Sequence, residues 1–396
     1  MKRILIQRDG NGMKMALTDD GALMEYDAER HEDRRIVGNI YLGRVRNVLP
    51  GMQAACVDIG TGKNAYLYRD ELLPVHLEQR PKQKPSIEQL VSEGQHVLVQ
   101  ITKEGIGKKG PRVSAQISLP GRWLVYMPEA DYVAVSRKIA SDEEKARLKK
   151  IGEELRQEGE GLILRTVSEG EAKESLEADL LQLRERWNRI KELKAQSKAP
   201  CELYSELDLA LRTARDLFSS DIDEFICDDP MTADQVRRFV QAHDPALAGR
   251  IRLHQDELPL FERYGVDREV RRVFQNRHPL KSGGSLVVDF TEALTVFDVN
   301  TGKFTGSTDL EETIVQTNLE AADAIARILR LRDIGGIIII DFIDMEKSSS
   351  REQVLQRMKE LAARDRSRTV VVGWTGLGLL EMTRKKIRAS DEDKPH

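Results

Sequence analysis

Two apolar runs late in the chain, LTVFD ending at Asp298 and IIIID ending at Asp341, flank one long stretch of helical periodicity from Asp309 to Asp333. β-Branched runs of this length read as buried strands, and apolar residues recurring every three to four positions read as an amphipathic helix. Thr308 and Glu311 spell a capping box at the helix start, and Gly335–Gly336 supplies its stop. A second helical stretch from about Ser350 to Arg364 and a further strand, TVVVGW, continue the alternation. The β-α-β-α-β order predicts an α/β layer structure for this part of the chain. In open α/β sheets, ligands gather at the carboxyl ends of strands, where both aspartates fall. Asp298 and Asn300 are two residues apart in extended chain and project to one side. If the two strands are neighbours, Asp298 and Asp341 can share a hard divalent cation, since Mg²⁺ prefers carboxylate oxygens with retained waters. A lone strand-end aspartate usually does no more than start a turn. Two of them, with Asn300 and Asp344 beside them, favour a metal site.

The remaining sequence divides by texture. The first 37 residues alternate as a β-meander with turns at Gly10–Gly12 and Asp19–Gly21, too short to close a domain alone. Between residues 38 and 117, five short strands suit a small OB-type barrel. Residues 119–210 mix strands such as GLILRTV with two charged helices, in one of which Leu176, Leu180, Leu183, Trp187 and Ile190 recur at helical spacing. The 62 basic and 66 acidic side chains give a formal charge of −4, which excludes a polycation but allows local basic patches. Cys56, Cys201 and Cys227 stand far apart with no CxxC pair. A disulfide framework and a sequence-local zinc site are therefore not expected, and a reducing cytoplasmic setting is. The N-terminus has no stretch of signal-peptide character, and no apolar run reaches membrane-spanning length.

Several smaller motifs need weighing. Gly105, Gly107 and Gly110 spell GxGxxG, but Pro111 and another strand follow, so no helix N-terminus is available for a pyrophosphate. With Lys108 and Lys109 the segment reads instead as a basic hairpin loop. Tyr41 and Tyr66 lie on barrel strands and could stack bases, although an isolated strand tyrosine is more often half-buried structure. Arg165–Thr166, at the end of LIL, pairs a guanidinium with a hydroxyl that together can grip a phosphate. Arg364, Arg366 and Arg368, and the run Arg384, Lys385, Lys386 and Arg388, have a solvated face as the default reading. The seven histidines are scattered and carry no metal or catalytic motif.

LTVFDVNTGKFTG, DLEETIVQTNLEAADAIARILRLRDIGGIIIIDFIDM and GLLEMTRKK resemble the catalytic core of the ribonuclease E/G family of bacterial endoribonucleases, and the likeness runs through nearly the whole chain. The resemblance implies an α/β multi-subdomain protein. An RNase-H-like subdomain would combine residues 1–37 with 211–275, interrupted by an OB-type RNA-binding barrel at 38–117. A 5′-end sensor region would occupy 118–210, and a DNase-I-like α/β catalytic subdomain 276–396. The family's metal-binding aspartates match Asp298 and Asp341, and its accompanying asparagine matches Asn300. Its 5′-monophosphate pocket falls on Arg165 and Thr166 with Gly121, Val125 and Arg368. Arg137 falls where another basic residue lies near the RNA, and on the barrel Lys109 and Tyr66 match RNA contacts. A second aromatic position holds Cys56 instead, which removes one stacking contact. The implied activity is Mg²⁺-dependent (or Mn²⁺-dependent) cleavage of single-stranded RNA, leaving 5′-phosphate and 3′-hydroxyl ends, in rRNA maturation and mRNA decay. Family members continue past GLLEMTRKK into a paired-cysteine zinc link and a dimerisation domain. This chain has no CxxC, so no zinc is expected and no oligomer is implied. A non-catalytic RNA-binding relative is the rival reading, and the presence of all three site residues argues against it.

Overall fold

The computed structural model describes residues 1–30, 35–74, 84–105, 109–301 and 310–386. Its strands form four sheets. In the first, the meander Lys2–Asp9, Gly12–Asp19 and Ala22–Arg30 is extended by two distant strands, Glu224–Cys227 and Ile251–Leu253, which pair in parallel. Ile4 and Ile6 pack with Phe218, Phe225 and Val236 on one face, and Leu5 packs with Phe261 and Val266 on the other. A strand covered on both faces explains why the ILI run is continuous rather than alternating.

The second sheet is a closed five-stranded barrel, consistent with an OB-like module. Ile40–Leu49, Ala54–Asp58, Ala65–Tyr68, Arg112–Ser114 and His96–Lys103 follow one another, and the first pairs with the last. Val45, Val57, Ala65, Leu67, Val99, Ile101 and Val113 fill the interior. Cys201–Tyr204 adds to Ile40–Leu49 from outside. The third sheet is small: Leu119–Pro120, Leu124–Met127, Gly161–Leu164 and Val133–Val135. The helix Lys173–Gln196 lays its Leu176, Leu180, Leu183 and Trp187 stripe into the same core, together with Leu148 of the helix Asp142–Leu155. Ser141 caps the latter by accepting the Glu144 N–H.

The fourth sheet runs Arg277–Pro279, Ser285–Phe290, Leu294–Asn300, Gly336–Asp341, Leu380–Arg384, Thr369–Trp374 in spatial order. The helix Leu310–Leu331 joins Leu294–Asn300 to Gly336–Asp341, and those two strands pair in parallel. Phe297, Ile338, Ile340, Leu380 and Met382 point to the helical side and meet Ile325, Val354 and Met358. Burying a side chain of this size stabilises by roughly 1.5–3 kcal/mol. Leu380–Arg384 lies between Gly336–Asp341 and Thr369–Trp374, antiparallel to both. The tight turn closed by Thr375 N–H to the Leu379 carbonyl forces a hairpin. Thr308 of the expected capping box lies outside the described residues. Glu311 does a different job: its carboxylate accepts the Glu346 and Lys347 N–H groups, each at 3.1 Å, just ahead of the helix Ser348–Arg364. Among the described residues, no helix is long and apolar enough to cross a membrane.

Candidate active site

The parallel pairing sets Asp298 directly opposite Asp341. Both side chains emerge at the strand ends, outside the apolar core that Phe297 and Ile340 close beneath them. Asn300, on the same side as Asp298, donates its amide N–H to Asp298 Oδ2 at 2.8 Å. That bond orients the carboxylate and leaves the Asn300 carbonyl oxygen as a further oxygen donor. Burial, and then the neighbouring Asp298 and Asp344 carboxylates, push the Asp341 carboxyl above its ordinary value. Among the described residues, neither Asp298 nor Asp341 forms an ion pair. Nor does a third His, Cys, Asp or Glu join the pair to complete a metal cluster. Two carboxylates, short of a cation and supplying only oxygen ligands, fit a hard divalent ion that keeps several waters; they do not fit zinc's usual nitrogen and sulfur donors.

The loop after Asp341 is held from below. Asn318, fully buried on the helix Leu310–Leu331, donates to the Ile343 carbonyl at 2.9 Å and accepts the Ile343 N–H at 3.1 Å. With Glu311 it fixes the segment from Ile343 to Lys347. Asn318 went unread in the sequence, although an amide on an apolar helix stripe is itself a signal.

Arg165 and Thr166 lie side by side, but the guanidinium is already engaged. Arg165 Nη1 donates to the Gly121 carbonyl at 2.6 Å, and Nη2 donates to Asp216 Oδ1 at 2.6 Å. Nε and the remaining Nη2 N–H have no partner among the described residues, so an edge of the fork stays available. The Thr166 hydroxyl shares a hydrogen bond with Ser136 at 2.8 Å. Burial would raise the Asp216 carboxyl, but the Arg215 guanidinium, and then that of Arg165, hold it down at about 2. Arg215 also pairs with Glu206 at 2.9 Å. Gly121 opens a turn whose Arg122, Trp123 and Leu124 N–H groups all point to the carboxylate of buried Asp179. A Cβ at Gly121 would lie 2.4 Å from Asp179 Oδ2, so only glycine fits. Val125, half-buried, pairs with Ile163 next to this turn. Asp216 and Asp179 were both missed. Asp179 had a signal, because it falls on the buried leucine stripe.

Arg368 is exposed, in the turn that follows the helix Ser348–Arg364. Lys138 donates to the carbonyls of Asp365 (2.7 Å) and Arg366 (3.3 Å), which brings that turn against the segment bearing Ser136 and exposed Arg137. Arg384 departs from the expected solvated face. It is 5% exposed and bonded to Asp333 at 2.7 Å and Asp365 at 2.8 Å. Arg388 lies outside the described residues.

On the barrel, Tyr66 is half-buried with Cys56 as its direct cross-strand neighbour. The cysteine therefore occupies the patch where a second aromatic was expected. Tyr41 is corrected as a stacking candidate: it is 4% exposed, and its hydroxyl donates to Glu202 at 2.7 Å. Lys109 is exposed at the base of the hairpin loop, whose Gly107 and Lys108 lie outside the described residues.

Comparison with known proteins follows the same lines. A model of the Ribonuclease E/G family matches residues 118–387. Ribonuclease G of Salmonella typhimurium (strain SL1344) is 41% identical over 395 residues, which cover 98% of this chain and 81% of that protein. Ribonuclease G of Haemophilus influenzae (strain ATCC 51907 / DSM 11121 / KW20 / Rd) is 42% identical over 98% of this chain and 80% of its own length. Ribonuclease E of Nostoc sp. (strain PCC 7120 / SAG 25.82 / UTEX 2576) is 38% identical over 88% of this chain and 51% of its own. A match over most of the chain to both the family model and these relatives shows that the chain belongs to the ribonuclease E/G family and is a ribonuclease, a hydrolase of RNA phosphodiester bonds.

Proposed function

We propose that the chain is a Mg²⁺-dependent endoribonuclease of single-stranded RNA, with Mn²⁺ as a substitute ion, that yields 5′-phosphate and 3′-hydroxyl ends and is stimulated by a 5′-monophosphate. The observation that carries this reading is the register that sets Asp298 opposite Asp341 with no cation partner. Asp298 and Asp341 would hold the ion, and Asn300 would orient Asp298 and the scissile phosphate. When bound, the ion supplies Lewis acidity and a water of lowered pKa. The Asn318 and Glu311 contacts keep Asp341 and its loop in place so that the two carboxylates need not reorganise. The free edge of Arg165, with Thr166, Gly121, Val125 and Arg368, would take the terminal phosphate, with Arg137 beside it. Tyr66 and Lys109 would contact the strand on the barrel through stacking and charge.

This reading divides the chain into an RNase-H-like unit (1–37 with 211–275), the barrel (38–117), a sensor region (118–210) and a DNase-I-like catalytic unit (276–396). Roles in rRNA maturation and mRNA decay follow from the family. The test is cleavage of matched A/U-rich RNA and DNA oligonucleotides carrying either 5′-monophosphate or 5′-hydroxyl ends, with Mg²⁺ or EDTA. Mg²⁺-dependent internal cuts in RNA, faster with the monophosphate, support it. Binding in EDTA with no cleavage in Mg²⁺ would refute it.

A further inference from the structure

A cleft of about 620 Å³ opens between the first sheet, the helix Leu209–Asp216 and the catalytic sheet. Arg165, Asp216, Arg330, Arg364 and Arg366 are among the residues that line it. Most cations around it are neutralised: Arg165 by Asp216 at 2.6 Å, Arg366 by Glu25 at 2.8 Å, and Arg384 by Asp333 and Asp365. Three are not. Arg35 and Arg364 have no ion pair among the described residues, and the Nε of Arg330 is buried without an acceptor. Arg330 and Arg364 each end a helix, Leu310–Leu331 and Ser348–Arg364, where carbonyl dipoles favour positive charge. That explains a cation in each last turn. It does not explain why two separate helix ends converge on one cavity, nor why a guanidinium N–H is buried there with nothing to receive it.

We propose that this cleft is a phosphate-binding subsite for the backbone of the RNA, distinct from the 5′-phosphate pocket and continuous with it through Arg165. The inference rests on the endoribonuclease reading above. Guanidinium forks match phosphate oxygens in shape and charge. A strand whose first nucleotide is seated beside Arg165 must leave along an adjoining surface, and the cleft is a concave surface that shares that residue. The ligand chemistry is a phosphodiester oxygen pair, so recognition there is independent of what the 5′ end carries.

The experiment measures fluorescence anisotropy of a short single-stranded RNA in EDTA across a range of salt, with 5′-monophosphate and 5′-hydroxyl versions. The proteins are wild type, R330Q/R364Q, R165A and R238Q. Arg238, on the helix Pro230–His243, is 79% exposed, does not line the cleft and serves as the control. The double variant is expected to bind both RNAs about tenfold more weakly. The slope of log affinity against log salt should fall by about 1.4, or ~0.7 for each lost contact on single strands. R238Q should match wild type. Unfolding midpoints are measured alongside, and R330Q or R364Q alone replaces the double variant if the latter is destabilised. Unchanged affinity and slope overturn the proposal. So does a loss confined to the monophosphorylated RNA, which would place both arginines in the 5′ pocket. A third refuting result is stabilisation of wild type by uridine monophosphate that vanishes in the double variant while RNA affinity stays the same, which would make the cleft a small-anion site. Failure of the 5′-sensing reading appears separately, as wild type that does not distinguish the two RNA ends.

Discussion

Asp216→Asn is the perturbation that asks most of the 5′-end reading, because it changes Arg165 without touching it. Asp216 binds Arg165 at 2.6 Å and Arg215 at 3.1 Å, and the carboxyl sits at about 2 rather than its ordinary 3.8. A displacement of that size corresponds to roughly 2 kcal/mol of preference for the charged form. It is shared between the two arginines, and solvent screens part of it, because Asp216 is 30% and Arg165 23% exposed. The folded-state value lies below the unfolded one, so this stability is fully present above pH 3.8 and is lost as pH falls towards 2. Urea unfolding should therefore show the variant about 1–2 kcal/mol less stable than wild type at pH 7, with the gap narrowing as pH falls from about 3.8 towards 2. Arg165 keeps its bond to the Gly121 carbonyl but loses the carboxylate that fixes its other nitrogen. Cleavage of 5′-monophosphorylated RNA should slow about three- to tenfold in kcat/KM, with 5′-hydroxyl RNA nearly unchanged, and R165A should lose the preference entirely. Equal slowing of both substrates, or a stability gap that does not change with pH, would refute the reasoning.

Three further outcomes follow from the same structure. Tyr66→Ala should weaken single-stranded RNA binding by ~1–3 kcal/mol, measured by anisotropy in EDTA, because it removes one stacking surface. Cys56→Phe should strengthen the same binding, since Cys56 is the cross-strand neighbour of Tyr66 and an aromatic there restores the missing partner. Gly121→Ala should lower both the unfolding midpoint and the 5′-monophosphate preference, because its Cβ would collide with Asp179; an unchanged preference would remove Gly121 from the pocket.

The parts of this protein legible in its sequence are those governed by local pattern. The β-branched runs ending in Asp298 and Asp341, the periodic helix between them and the five short barrel strands could be read because burial and periodicity are short-range signals. What escaped was long-range. The partnership of Asp216 with Arg165 spans 51 residues, and that of Glu311 with Glu346 spans 35, and no spacing rule encodes either. Arg384 looked like one charge in a solvated run, and only the fold supplies Asp333 and Asp365 to bury it. Tyr41 and Tyr66 were equivalent as letters, and the side of the barrel wall each one faces separates them. Asp179 and Asn318 are different. Each is a polar residue on an apolar helix stripe, so their roles as supports for a turn and a loop were signalled but not taken up.

The central claim is that Asp298 and Asp341 together form a divalent-cation site on which RNA cleavage depends. Single-turnover cleavage of a 5′-monophosphorylated RNA, titrated with Mg²⁺ for wild type, Asp298→Asn and Asp341→Asn, tests it most directly, with RNA affinity measured in parallel. Each variant removes one charged ligand, so cleavage should fall at least ~10²-fold and the Mg²⁺ requirement should rise, while RNA affinity stays within about twofold. Near-wild-type cleavage in either variant at the same Mg²⁺ concentration would contradict the account.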